Sequence, residues 1–279
     1  MACTLVKLIL AGIYLMKGLD AAMKYGICVG IKDAFEALDQ VGYDYIELPL
    51  ALIAALSDAE FDELVARLTM SNIKCEACNV LLPGTIKLTG DNVDMQHIKT
   101  YIEGAMARAA KIGAQVVVMG SSGSRNVPLG TSIEKGYAQL AEALNLIGAI
   151  AAKHGIDIAI EPLNDNESNI VTTYMSGLYL AALANQPNVG TLVDAYHFCL
   201  VNEPLSNLYA KKPMHVHYAD KLGRRIPQVS NPTGIAFFDA LKVSGYDGRV
   251  SLEGAMAPGC DWLESATEAF KALKAMCES

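Results

Sequence analysis

The sequence predicts an α/β chain folded as a single (β/α)₈ TIM barrel, and three observations point there. Eight strand-like segments alternate with helix-like ones, and the 279 residues are close to the roughly 250 of one such barrel. Prolines are scattered, and no linker or low-complexity stretch divides the chain. A hydrophobic fraction of 52% with a positive mean hydropathy fits strands buried on both faces.

The elements follow in order. Residues 1–22 form an amino-terminal extension, read as an extra helix or an extended start, ahead of a barrel domain spanning 23–279. The apolar run from Leu5 to Met16 is broken by Lys7 and Gly12 and is too short to span a bilayer. A secretory signal would want a basic amino end, which Met1-Ala-Cys-Thr lacks. Strands are expected at 25–29, 45–48, 74–80, 115–119, 156–161, 190–194, 214–218 and 250–253. Apolar spacing of three and four residues places helices between them at 33–41, 58–71, 93–112, 133–154, 176–184, 234–243 and 262–276. Lys111-Ile-Gly113 and His154-Gly155 read as helix ends, where glycine takes the left-handed turn and cations suit the dipole. An open doubly wound sheet is the competing fold, but Val29-Gly30-Ile-Lys-Asp33 lacks its glycine fingerprint.

Four of the late strands end on residues that hold divalent metals: Glu161, Asp194, His217 and Glu253. Their gaps of 33, 23 and 36 residues each fit a strand plus a returning helix. Parallel strands carry their carboxyl ends to one face of a barrel, so the four converge. Three carboxylates and one imidazole form a hard, oxygen-rich site, which predicts Mn²⁺, with Co²⁺ or Mg²⁺ as alternatives, ahead of a structural zinc. His215 and His217 share a face of their strand; His217 is nearer the carboxyl end, and His215 is placed one layer deeper. Solvated strand ends are the bland alternative, and four in register argue against it.

A net charge of -8 and no clustered Lys/Arg face exclude nucleic acid as a partner, and no membrane segment is expected. Seven irregularly spaced cysteines give no disulfide framework, which favours a reducing, cytoplasmic setting. Cys75-Glu-Ala-Cys78 lies in a strand, where positions three apart face opposite sides, and reads as buried packing.

Glu161-Pro-Leu-Asn164, Asp194-Ala-Tyr-His197, His215-Val-His217 and Ser251-Leu-Glu253-Gly resemble the sugar epimerase/isomerase branch of the xylose-isomerase-like barrels. Ketose 3-epimerases of the tagatose/psicose type belong to that branch. The resemblance runs from Met23 and is strongest after residue 115. It implies that Glu161 and Glu253 bind the metal and act as the acid/base pair, with Asp194 and His217 completing the coordination. It implies substrate contacts from Glu167, from His197 of the D-x-x-H motif, and from Arg225 in Arg225-Ile-Pro227. That loop is two residues longer than the family's, so Arg224 is the alternative. The implied reaction is proton abstraction from a ketose or related polyol and its return through an enediolate. A small sugar is then the substrate, and a homo-oligomer, dimer or tetramer, the assembly.

Alternatives are an inosose-type dehydratase, a non-catalytic sugar-binding barrel, and an endonuclease-IV-like phosphodiesterase. Only five histidines and an acidic charge count against the last. Chain departures leave the sugar open: Asp165 follows Asn164 where relatives often carry an arginine. In Gly120-Ser-Ser-Gly-Ser-Arg125 the glycines could form an anion nest with Arg125, or a tight turn with a surface arginine. Glu47 points toward the site face, to a substrate or a neighbouring group; His97 and His154 read as solvated, and Trp262 as lining the pocket or packing the last helix.

Overall fold

The computed structural model describes residues 23–256 and 259–279. The expectations for residues 1–22 lie outside the described residues. Eight parallel strands close into a barrel in sequence order: β1 (Lys24–Cys28), β2 (Tyr45–Pro49), β3 (Lys74–Asn79), β4 (Val116–Met119), β5 (Asp157–Ile160), β6 (Val189–Asp194), β7 (His215–Tyr218) and β8 (Arg249–Leu252). Closure is parallel pairing of β1 with β8, Lys24 opposite Arg249 and Ile27 opposite Leu252.

The main outer helices stand close to their expected places, at Asp58–Met70, Met95–Ile112, Ile133–Ala152, Tyr174–Ala184, Pro232–Val243 and Trp262–Cys277. Their starts are written in local chemistry. Ser57 and Glu60 form a reciprocal capping box, and Asp94, Ser132, Thr173, Asn231 and Asp261 each accept from the first turn. Gly113 closes its helix at φ +95°, as its sequence context suggested. The expected helix at 33–41 is instead a 3₁₀ turn at Phe35–Ala37 and one helical turn at Leu38–Val41, ended by Gly42 at φ +111°. Short helices at Leu50–Ala55, Ser122–Arg125 and Ala195–Leu200 follow strands directly and were not apparent in the pattern, because one or two turns are too short to show a period.

Most of the apolar core lies between barrel and helices, where Ile27, Ile46, Leu48, Val117, Ile158, Ile160, Val216 and Leu252 are fully buried. A smaller cluster of Tyr45, Ala77, Val116, Val118, Ala159 and Leu192 forms a second buried group. Gly26 makes room for it: a Cβ there would stand 2.3 Å from the Tyr45 ring. Glu76 closes the amino-terminal end, binding Lys24 at 2.8 Å and Arg249 at 2.7 Å.

One irregularity overturns an expectation. The β2–β3 register jumps between Ile46 and Glu47, so Ile46 faces Cys75 while Glu47 faces Ala77. The extra residue in β3 is Glu76, and the resulting bulge resets the alternation. Cys75 and Cys78 therefore both join the outer core and are fully buried, instead of facing opposite sides.

Candidate metal centre

The cluster is assembled at the carboxyl ends of β5 to β8. Asp194 is the last residue of β6, and His217 the third of β7. Glu161 and Glu253 sit one residue beyond β5 and β8, yet their backbone N–H groups still extend the ladder, to Met119 O at 3.1 Å and Tyr218 O at 3.0 Å. One nitrogen or oxygen from each of the four side chains lies within 4.8 Å of the others. His217 Nδ1 stands 3.7 Å from Glu161 Oε1 and 3.1 Å from Glu253 Oε2.

Each ligand candidate is held by its other atoms. Asp194 Oδ1 accepts the Tyr196 N–H at 2.8 Å, capping the helix Ala195–Leu200 and leaving Oδ2 for the cluster. Glu253 accepts from Asn79 Nδ2 at 3.2 Å on Oε1 and from Arg224 Nη2 at 2.9 Å on Oε2. Glu161 runs close over Gly120, where a Cβ would fall 1.8 Å from Oε2.

Glu161 Oε1, Asp194 Oδ2 and His217 Nδ1 are buried without a hydrogen-bond partner. Such orphans are rare in folded interiors and need a reason. A divalent cation is one that fits, since two carboxylate oxygens and an imidazole nitrogen converge with a third carboxylate beside them. Electrostatics agree. Burial, with the Glu161 and Glu253 carboxylates beside it, pushes Asp194 up to about 8. For Glu253 burial acts the same way, but His217 and Arg224 outweigh it and hold the carboxyl down at about 2. Burial opposes charge on His217, while Glu47 and Glu253 raise it well above the usual imidazole value. A bound dication would supply the missing positive charge and reverse the Asp194 shift.

His197 is 2% exposed, behind the cluster. Its Nδ1 accepts the backbone N–H of Asn164 at 3.2 Å and lies 2.8 Å from Asn164 Nδ2. Asn164 Oδ1 is committed to the Asn166 N–H, which fixes the amide orientation. Nε2 therefore carries the proton and points between Asp194 Oδ2 (3.6 Å) and Glu161 Oε1 (3.8 Å). Burial and the Arg224 charge pull the imidazole down to about 3, so it stays a neutral donor. Glu167 accepts from Asn164 Nδ2 at 2.8 Å and remains partly exposed at the rim.

The arginine at the site is Arg224 and not Arg225. Its Nη2 lies 2.9 Å from Glu253 and 3.6 Å from Asp194, its Nη1 3.8 Å from Glu167, and its guanidinium 5.2 Å over the Tyr196 ring. Arg225 is exposed; its backbone bridges to Asp220 and Ala255. The cause is local. Arg224 adopts φ +48° directly after Gly223 at φ +75°, so the turn swings this side chain inward. An open cavity of about 540 Å³ lies alongside, lined by Cys28, Asp33, Asn79, Arg224 and Glu253 among others.

Two side chains are enclosed more completely than the sequence indicates, Glu47 on the site face as expected and Arg125 against expectation. Glu47 is fully buried beneath the cluster, bonded to both His215 and His217. The signal was there in Tyr45-Ile-Glu47, but which partner it met could not be read. Arg125 is fully buried, donating Nη1 to Met119 O at 3.1 Å, with Nε and Nη2 unpartnered. It is no surface arginine, and neither Gly120 nor Gly123 has the positive φ a nest requires. His97 and His154 are exposed, and Trp262 packs against the core at the start of the last helix.

Comparison with known proteins agrees with the fold. The chain is 25% identical over 236 residues to an L-ribulose 3-epimerase of Methylomonas sp. (strain DH-1), covering 80% of this chain and 78% of that protein. A crystal structure of D-psicose 3-epimerase in the presence of D-fructose superposes with a TM-score of 0.78 at 20% identity, over 90% of this chain and 97% of that one. The IOLI protein with a bound zinc atom superposes with a TM-score of 0.66 at 22% identity, over 91% and 96%. Residues 35–276 match the family described as xylose isomerase-like TIM barrel, and the chain belongs to that family.

Proposed function

We propose that this protein is a metal-dependent sugar epimerase acting on a free ketose. The observation that carries this reading is the convergence of Glu161, Asp194, His217 and Glu253 on one point, with the facing atoms of the first three unpartnered. Names of the curated relatives support it, since they are ketose, psicose and ribulose 3-epimerases. The four residues would hold a divalent ion, Mn²⁺ first, with Co²⁺ or Mg²⁺ as alternatives. When bound, that ion supplies Lewis-acid polarisation of the substrate's carbonyl and adjacent hydroxyl oxygens.

The proton chemistry belongs to the protein. Glu161 and Glu253 arise from β5 and β8, with β6 and β7 between them, and so can address opposite faces of one carbon. One carboxylate removes the proton next to the ketone and the other returns a proton from the far side, inverting the centre. Acid/base help of this kind contributes roughly 10²–10⁴-fold. His197 donates its Nε2 proton to a substrate oxygen, Glu167 accepts from a hydroxyl at the rim, and Arg224 donates along the cavity wall. Arg224 takes the role that the motif had assigned to Arg225.

The test is solvent deuterium exchange by the Mn²⁺-loaded protein with D-fructose, D-tagatose and L-ribulose. Deuterium at carbon 3 with formation of the 3-epimer supports the reading, as does its loss in both Glu161→Gln and Glu253→Gln. Loss of water from the substrate would move it to dehydration. No exchange with any ketose, despite stoichiometric metal, would leave a binding barrel.

A further inference from the structure

Beneath the cluster lies a buried polar tier that joins three strands. Glu47, the middle residue of β2, is fully buried and receives three contacts. His217 Nε2 lies 2.9 Å from its Oε1, His215 Nε2 2.8 Å from its Oε2, and Ser251 Oγ 2.6 Å from the same Oε2. Ser251 Oγ is also 2.8 Å from the Tyr45 hydroxyl, which ties β8 back to β2. A carboxylate offers only lone pairs, so each facing imidazole must carry its proton on Nε2. For His217 this leaves Nδ1 as the nitrogen free to meet a cation once its own proton is displaced, and it is the one facing Glu161 and Glu253.

We propose that Glu47 is the positioning residue of the metal centre, fixing both the ring orientation and the tautomer of His217, with His215 and Ser251 holding Glu47 in turn. The inference rests on the proposed function only in requiring a divalent cation at the cluster. Imidazole ligands generally depend on such an acceptor, and its removal weakens metal binding by roughly 10–100-fold. The same carboxylate anchored from β7 twice and from β8 once cannot swing away, which a single hydrogen bond would permit. A glutamine in its place keeps the shape but presents an N–H₂ to at least one donor, leaving a buried clash of donors.

The experiment is calorimetric titration of the metal-free, full-length protein with Mn²⁺ and with Zn²⁺, beside ¹⁵N-histidine spectra of the zinc-loaded protein. Wild type is expected to bind one ion with His217 as the Nε2–H tautomer and that proton shielded from exchange. Glu47→Gln is expected to keep its melting transition near wild type, to bind about 10–100-fold more weakly, and to lose the single tautomer. Ser251→Ala, which leaves the carboxylate in place, should lose less affinity than Glu47→Gln. Equal affinity and an unchanged tautomer in Glu47→Gln would overturn the role of Glu47 alone. Should that variant fail to fold, an Nδ1-protonated His217 in zinc-loaded wild type overturns the proposal and an Nε2-protonated one supports it. A wild-type protein that binds neither ion overturns the proposed function together with this inference.

Discussion

Arg224 Nη2 lies 2.9 Å from Glu253 Oε2, placing a guanidinium against a carboxylate that is also a ligand candidate and a base candidate. The contact is only partly screened, the arginine side chain being 32% exposed. Directly after Lys221-Leu222-Gly223, the turn therefore commits the first of two adjacent arginines to the site and the second to solvent.

From this pair the first prediction follows. Arg224→Ala should lower kcat/KM on the accepted ketose by roughly 10–10²-fold, the range for losing a hydrogen bond to a charged group. Arg225→Ala should stay within about twofold of wild type, as exposed substitutions away from special features do. Steady-state kinetics on the two single variants decide it, and a large loss in Arg225→Ala alone would restore the assignment made from the motif.

Gly120 gives a second prediction. A methyl group there would meet Glu161 Oε2 at 1.8 Å, far inside contact distance, so the Glu161 carboxylate would have to move. Displacement by about 1 Å of a catalytic group can lower rates about 10²-fold. Gly120→Ala should therefore lose at least that much activity and bind Mn²⁺ more weakly, with little change in melting temperature, because the flexible end of one side chain absorbs the clash. A wild-type rate in this variant would show that Glu161 has slack the packing does not suggest.

How far the sequence carried this picture depends on the kind of relation. Strand order, barrel closure and the four converging side chains were legible, because each depends on periodicity and on which residue ends a strand. The Cys75–Cys78 facing was not, because a bulge at Glu76 breaks the alternation and nothing local announces it. Arg224 against Arg225 was open, because a left-handed residue after Gly223 decides which side chain turns inward. Glu47 was legible as a strand-end acid but not as the partner of His217, a contact spanning 170 residues of chain. Arg125 was read either as partner of an anion in a glycine nest or as a surface arginine at a tight turn, whereas packing of the β4 loop encloses it completely.

Asn164 should control His197 in a way that can be read separately. It holds Nδ1 with its backbone N–H and its side-chain amide, and it also donates to Glu167. Asn164→Leu removes the two side-chain bonds to His197 and Glu167, with the one Oδ1 accepts from the Asn166 N–H, while the backbone bond to His197 remains. At about 1 kcal/mol each, the expected loss in kcat/KM is roughly five- to thirtyfold. Asn164→Asp replaces a donor by an acceptor and should be worse, since it draws a proton onto Nδ1 and disturbs the neutral tautomer. Equal rates for all three proteins would remove His197 orientation from the mechanism.

The last prediction concerns pH and metal together. In the cation-free protein Asp194 is pushed up to about 8 from an ordinary 3.8 by burial and by Glu161 and Glu253. A folded state that holds this proton more tightly than the unfolded chain gains stability that is complete below about pH 4 and lost as pH rises toward 8. His217, raised above its ordinary 6.5, acts in the same sense, its contribution falling away above that value. A dication replaces these protons and removes the repulsion, so its stabilising effect should grow with pH. At a metal concentration 100 times the dissociation constant, the linkage gives about 2.7 kcal/mol, or roughly 5–10 °C in melting temperature for a chain of this size. Melting curves with and without MnCl₂ at fixed concentration should therefore show a larger increment at pH 8 than at pH 5.5. An increment that is larger at pH 5.5 would mean that Asp194 does not give up its proton to the ion, and would remove it from the ligand set.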